Sequence, residues 1–312
     1  MDEQQVIKKL EAIIYPKLAK NILELKLINS LHVTAKSLHV SINTDNKETF
    51  NFIAREIPKI FKSNFRDIEV EKKIKKDKKI IVISSGKGGV GKSTVSTNFT
   101  VALAQEGYKV GLLDADVFRP SIPRLFGIEN EKLQRNDKNK ILPHEKFGVK
   151  IISAGLTNDT PLVLKNSVAI STIIQFLKDA EWGELDFLII DMPSGSGEIE
   201  LGIAEELPLF GALLVTTPHI LSHNDVSRSI MMFKDAHVKI LGVVENMSYF
   251  MAPDTNKRYD IFGKDGVEKI CEKYNLNLLS KLPLDMKIKD ISNDEKRKEN
   301  YLIIAKKILE EI

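Results

Sequence analysis

Residues 84–94 read Ser-Ser-Gly-Lys-Gly-Gly-Val-Gly-Lys-Ser-Thr. From Gly86 to Ser93 the spacing is G-x-x-x-x-G-K-[S/T]. The apolar run "IIVISS" (80–85) precedes it, and a helical pattern from Thr94 to about Glu106 follows. That strand–loop–helix setting is what a phosphate-cradling loop requires. Gly86, Gly88, Gly89 and Gly91 allow the backbone to turn successive N–H groups, those of Lys87 and Val90 among them, toward phosphate oxygens. The start of the helix at Ser93 and Thr94 adds partial positive charge. Lys92 is expected to reach the β- and γ-phosphates of a nucleotide and Ser93 to hold Mg²⁺, so ATP and Mg²⁺ are the expected ligands.

The minimal motif needs one lysine, yet this loop has two. Lys87, between Gly86 and Gly88, is free either to fold back on its own nucleotide or to reach one held by a facing subunit. A solvated surface lysine is the plainer alternative.

Further carboxylates follow at strand ends. "LLDADVFRPS" (112–121) ends a strand pattern with Asp114 and Asp116. Asp116 is the candidate for positioning an attacking water, with Asp114 near the metal. "FLIIDMPSGSGE" (187–198) places Asp191 after four apolar residues, which suits an acidic partner of Mg²⁺, and Gly195 and Gly197 suit a loop that senses the γ-phosphate. Asn246, closing "LGVVENM", carries an amide that both donates and accepts and so could read an adenine edge.

Continuous apolar runs recur at "KVGLLDAD", "VKIISAG", "DFLIIDMP", "GALLVTTP" and "KILGVVENM", with helical segments between most of them. Buried parallel strands have this texture, so the fold class expected for 80–312 is α/β: a mostly parallel sheet with helices on both faces. Residues 1–72 differ. A helix containing Val6, Leu10, Ile13 and Ile14 is expected to close at Pro16. Two strand-like runs follow at 27–33 and 37–43, then an amphipathic helix at about 47–62 and a last alternating strand in "RDIEVEKKI". The order α-β-β-α-β predicts a small α+β domain. Between the two lies 73–79, part of the lysine-rich run "EKKIKKDKK", expected to be a solvated basic linker.

Bulk properties narrow the function classes. The chain has 312 residues, 43% of them hydrophobic, and a formal charge of +3, too weak to make nucleic acid the expected partner. "MDEQQVIKKL" lacks the basic-then-apolar order of a secretory signal. The longest uncharged run, 207–224, contains Pro208, Pro218 and two histidines and reads as a buried strand plus a loop, so no membrane span is expected. The single cysteine, Cys271, falls in a helical pattern and reads as a core residue; with no intrachain disulfide possible, a reducing cytoplasm is the expected compartment.

Taken together, "SSGKGGVGKST", "DADVFRPSIPRLFG", "WGELDFLIIDMPSGSGE", "LLVTTPH" and "VENMSYF" resemble the Mrp (ApbC-type) iron–sulfur cluster carriers, within the MinD/ParA class of phosphate-loop ATPases. The likeness covers about 80–290, and the first 70 residues resemble the small MIP18-related domain that bacterial members often carry. The resemblance implies a homodimer with slow ATP hydrolysis, Gly86 to Thr94 on the nucleotide and Lys87 crossing the dimer interface. It further implies Asp116 and Asp191 as switch carboxylates, Asn246 on the base, and iron–sulfur apoproteins or assembly proteins as clients. It also implies a [4Fe–4S] cluster held by a C-P-x-C pair from each subunit. Here Ala252 and Thr255 stand at those positions with Pro253 between them, and a dimer owns only two thiols, both Cys271. Arg119 replaces an expected glycine, "PSGSGE" replaces P-P-G-T-G-D, and "YPKL" replaces D-P-E-L. Two other readings stay open: a MinD/ParA-like positioning switch, for which the terminal "YLIIAKKILEEI" could serve as a membrane helix or simply pack as an ordinary one, and a nucleotide-dependent scaffold with little turnover.

Overall fold

A computed structural model describes residues 1–44, 46–72, 78–157, 165–195, 197–284 and 295–311. It divides into two compact units, Met1–Asp77 and Lys78–Ile312. Most of the expected linker, residues 73–77, lies outside the described residues.

In the first unit, strand Ile28–Val33 pairs antiparallel with Ser37–Ile42, which pairs parallel with Asp67–Lys72. Period-two alternation puts Leu38, Val40 and Ile42 on the buried face, against Ile53, Ile57 and Phe61 of helix Lys47–Phe61. Asn46 caps that helix by accepting from the backbone N–H groups of Glu48 and Thr49. The first helix departs from expectation. It covers only Glu3–Leu10 and ends well before Pro16. Ile14 instead lies in a two-residue strand, Ile14–Tyr15, and is 57% exposed. The chain turns after Leu10 to pair that strand with Lys20–Asn21, a local hairpin that outweighs the helical spacing of Ile13 and Ile14.

The second unit is built on a nine-stranded sheet. Its parallel strands run in the order Val149–Ser153, Val110–Asp114, Phe187–Asp191, Lys79–Ser84, Leu209–Thr216, Ile240–Met251 and Leu278–Pro283. His144–Lys146 and Arg258–Tyr259 add short antiparallel edges. Alternate residues of each strand feed two cores. Ile81, Ile83, Leu112, Ile151 and Ile189 pack on one face with Phe99 and Leu103 of helix Lys92–Gln105. Ile80, Val82, Leu113, Ile152 and Leu188 pack on the other with Ile173, Val226, Ile230 and Phe233. Burial on both faces is why these strands are continuously apolar in sequence.

The uncharged run 207–224 supplies strand Leu209–Thr216 and the start of helix Ile220–Asp235, so its second part is more helical than a loop. The terminal helix Glu295–Leu309 buries Tyr301, Ile304, Ala305 and Ile308 in the first of these cores. Among the described residues no helix is long and apolar enough to cross a membrane.

Candidate nucleotide site

Parallel register gathers the candidate carboxylates. Strand Lys79–Ser84 occupies the middle of the sheet, and the loop that leaves it turns directly into helix Lys92–Gln105. The strand Phe187–Asp191 lies on one side of it, with Asp191 opposite Ile83. Asp191 is in turn the register partner of Asp114, and Asp114 of Ser153. Three polar residues therefore stand side by side at the carboxyl ends of neighbouring strands, where open α/β sheets bind ligands.

At two points of the loop a side chain would collide with its surroundings. A Cβ on Gly86 would come within 2.1 Å of the carbonyl oxygen of Asp225. Gly91 has φ +81°, and a Cβ there would meet Asn246 Nδ2 at 2.3 Å. Lys92 and Val90 are buried, Gly88 and Gly89 are exposed, and Lys87, Ser93 and Thr94 are partly exposed. A cleft of about 560 Å³ opens over the loop, lined by Gly89, Gly91, Lys92, Ser93 and Thr94 together with Asp116. Lys87 is not among its lining residues; its carbonyl accepts the Ser85 hydroxyl at 3.0 Å.

Lys92 Nζ donates to Asp191 Oδ1 at 2.8 Å and lies 3.3 Å from Ser93 Oγ. Ser96, one turn along the helix, donates to the same Asp191 oxygen at 2.5 Å. Asp191 Oδ2 is buried without a hydrogen-bond partner. A carboxylate oxygen with an unused lone pair near a loop serine is the hard-oxygen chemistry that Mg²⁺ accepts, so Ser93 and Asp191 fit that ion. Asp114 is more fully engaged. Its Oδ2 accepts from Ser153 Oγ at 2.9 Å and Ile122 N at 3.3 Å, and its Oδ1 accepts from Asp116 N at 3.2 Å. Burial first, and then repulsion from Asp191, push its carboxyl up to about 7. Asp116 accepts from the Arg119 backbone N–H at 3.0 Å, which orders the turn that holds it at the cleft.

Asn246 sits beneath the loop rather than in the cleft. It is 3% exposed, and its Nδ2 donates to the Val90 carbonyl at 2.8 Å. One of its two amide hydrogens is therefore used to hold the loop. Ser96, Ser153 and the cleft residues Ser121, Arg124 and Glu129 join the site only through the fold. Ser153 had a signal, since it ends the run "VKIISAG" just as Asp114 and Asp191 end theirs; Ser96 had one in its four-residue offset from Lys92.

At the C-P-x-C positions, Ala252 is 8% exposed and opens a turn in which Asn256 N donates to its carbonyl at 2.8 Å. Pro253, Asp254 and Thr255 are exposed. Cys271 is 4% exposed, and burial pushes its thiol up to about 11. Among the described residues no group of three or more His, Cys, Asp or Glu side chains is arranged to hold a metal ion.

Comparison with known proteins places the chain in a family. The family described as "ParA: NUBPL iron-transfer P-loop NTPase" matches residues 76–311. An iron-sulfur cluster carrier protein of Helicobacter pylori is 36% identical over 310 residues, covering 93% of this chain and 84% of that one. One from Aquifex aeolicus is 43% identical over 225 residues, 71% of this chain but only 62% of the relative, less than two thirds of its length. Among solved structures, a nucleotide-binding protein from Archaeoglobus fulgidus in complex with ADP is 34% identical, with a TM-score of 0.59 over 72% of this chain and 87% of that one. The cell division ATPase MinD of Pyrococcus furiosus is similar in fold alone, at 23% identity and a TM-score of 0.53 over 76% of this chain and 100% of its own.

Proposed function

This chain belongs to the ParA/NUBPL family of iron-transfer phosphate-loop NTPases, and on that premise we propose that it binds and slowly hydrolyses Mg-ATP as a homodimer that serves iron–sulfur cluster assembly or transfer to client proteins. The observation that carries the nucleotide half is the buried Lys92–Asp191 pair beneath a glycine loop, with Ser93 alongside. The ADP complex of the Archaeoglobus fulgidus relative supports an adenine nucleotide.

In this reading Lys92 moves from Asp191 to the phosphates when nucleotide enters, and the loop N–H groups bind phosphate oxygens. Ser93 and Asp191 would hold Mg²⁺, which would supply positive charge to neutralise the phosphates. Asp116, at the cleft, orients the attacking water. Lys87, outside the cleft of its own subunit, reaches the nucleotide of the facing one. Asn246 keeps the loop in place through Val90 and offers its remaining polar atoms to the base.

The cluster is cargo, and the residues here do not fit an all-cysteine site. A [4Fe–4S] cluster takes four thiolates, whereas the one thiol per chain is buried and held protonated well above neutral pH. Thr255 and Asp254 offer only harder oxygen donors. Ligands lent by a client or assembly protein are therefore part of the proposal. A positioning switch with a terminal membrane helix is disfavoured, because that helix spends Tyr301, Ile304 and Ile308 on the core.

The test is turnover together with reconstitution. The full chain should hydrolyse Mg-ATP, and Lys92→Ala should abolish both tight binding and turnover; equal rates would sink the site assignment. With iron and sulfide alone, the parent should take up no stoichiometric cluster. A cluster that survives Cys271→Ala would overturn the borrowed-ligand view.

A further inference from the structure

One buried acid of the second unit has no part in the chemistry above. Glu200 lies in helix Gly197–Glu206, is 3% exposed, and its Oε1 accepts the Ser84 hydroxyl at 2.6 Å. Ser84 is fully buried and is the last residue of the strand that launches the phosphate loop. We propose, on the ATPase reading above, that Glu200 is a positioning residue for turnover, clamping the helix that follows the Asp191 loop to the strand that carries the phosphate loop.

The clamp has a counterpart at the other end of the same stretch of chain. Asp191 is tied to Lys92 and Ser96, while Glu200, nine positions later, is tied to Ser84. The intervening turn, which supplies Ser194 to the nucleotide cleft, is thus fastened at both ends to the strand–loop–helix element that holds phosphate. A rearrangement of that turn on nucleotide binding has to work against both fastenings. A buried carboxyl is a costly way to make one contact with a hydroxyl, since an apolar residue of similar size would meet no desolvation cost.

Glu200 also responds to charge. Burial pushes its carboxyl up to about 7, while its hydrogen bond from Ser84 and the charge of Lys92 pull the other way. The charged groups around it are Lys92 from the phosphate-loop helix, Glu198 on its own helix, and Asp225 and Arg228 from helix Ile220–Asp235. Apart from Lys92, these share with it a cleft of about 420 Å³ that Gly86 also lines. The neutral form keeps the clamp without adding negative charge near the phosphates. The ionised form places a negative charge within electrostatic reach of Lys92, which opposes the transfer of that lysine to the phosphates. Turnover should therefore carry a component that declines as pH rises through about 7.

The experiment measures kcat and KM for Mg-ATP between pH 5.5 and 8.5, in the full chain, for the parent and for Glu200→Gln, Glu200→Ala and Ser84→Ala, with Lys92→Ala as the blank. Thermal melts establish which variants are folded. Glu200→Ala and Ser84→Ala should each lower kcat roughly tenfold with KM changed little, and together no further, since they remove one contact. Glu200→Gln, whose amide oxygen still accepts from Ser84, should restore most of kcat and lose the decline near pH 7. Unchanged kcat in folded Glu200→Ala and Ser84→Ala overturns the proposal. If Glu200→Ala does not fold, an unchanged kcat in folded Ser84→Ala overturns it alone, and a Glu200→Gln profile that superposes on the parent removes the titration but not the clamp. A parent with no turnover above the Lys92→Ala blank overturns the ATPase reading and this inference with it, whereas a working parent with indifferent variants overturns the inference alone.

Discussion

Lys92 Nζ lies 2.8 Å from Asp191 Oδ1, and the two side chains are 5% and 0% exposed. The lysine proposed for phosphate and the acid proposed for Mg²⁺ thus neutralise each other within the protein. Phosphate and Mg²⁺ each supply the charge the other partner loses, so the pair is suited to be exchanged by Mg-ATP as a unit and poorly suited to be broken by either component alone. Removing one member leaves a buried charge without compensation.

Lys92→Ala should accordingly cost stability as well as function, by about 3–5 kcal/mol. Lys92→Ala/Asp191→Asn should recover much of that loss without recovering turnover. Urea denaturation of the nucleotide-free proteins checks both. A Lys92→Ala midpoint equal to the parent's would mean that the pair contributes nothing in solution.

Lys87 makes a prediction that depends on two subunits. Lys87→Ala should leave ATP binding nearly intact and reduce turnover and nucleotide-dependent association. Mixed with Asp116→Asn, it should regain activity, because one site of the heterodimer then has both groups. Titrating the two variants against each other gives the answer, and an absence of rescue with heterodimers demonstrated removes the crossing role.

Stability should vary with pH in a way traceable to Glu200. Its carboxyl rises from an ordinary 4.5 to about 7 on folding, so the folded state holds a proton that the unfolded state has released between those values. The slope of unfolding free energy with pH is negative there. The contribution is present in full below about 4.5, declines as pH rises and is lost above about 7. Glu200→Gln should flatten the thermal midpoint over that interval but not level it, since Asp114, raised from 3.8 to about 7, acts in the same direction. An unchanged slope in the variant would place the titration elsewhere.

The C-P-x-C positions allow a gain-of-function test. Ala252→Cys/Thr255→Cys supplies two thiols per chain, four in a dimer, and iron and sulfide should then yield a cluster with its charge-transfer absorbance. Sulfur at the 8% exposed position 252 is shielded, and sulfur at 255 is at the surface. Failure of the double variant to take up iron, with dimerisation shown, would mean that the turn geometry as well as its donors has diverged.

What the sequence revealed and what it hid divide along contact range. The phosphate loop, the sheet strands and the end positions of Asp114 and Asp191 follow from local order: apolar runs, glycine spacing and the first polar residue after a run. In the small unit, strands at 28–33 and 37–42 and a helix at 47–61 also emerge from short-range pattern. The Ser96–Asp191 and Ser84–Glu200 bonds join residues 95 and 116 positions apart, and no local pattern encodes them. They depend on which strands become neighbours. Asn246 was visible as a strand-end amide, but that its N–H is turned onto Val90 is a matter of packing beneath Gly91. The terminal helix allowed two readings because an apolar stripe looks alike whether it meets lipid or core.

The solitary Cys271, buried and with its thiol raised to about 11, gives the chain an almost silent background toward maleimides and disulfide-linked spin labels, which react with accessible thiolate. A cysteine placed at an exposed site, such as Phe118 beside the Asp116 turn, would be the one position to take the label. The assembly state and the movement of that turn are then open to direct distance measurement, without first stripping the protein of competing sulfur.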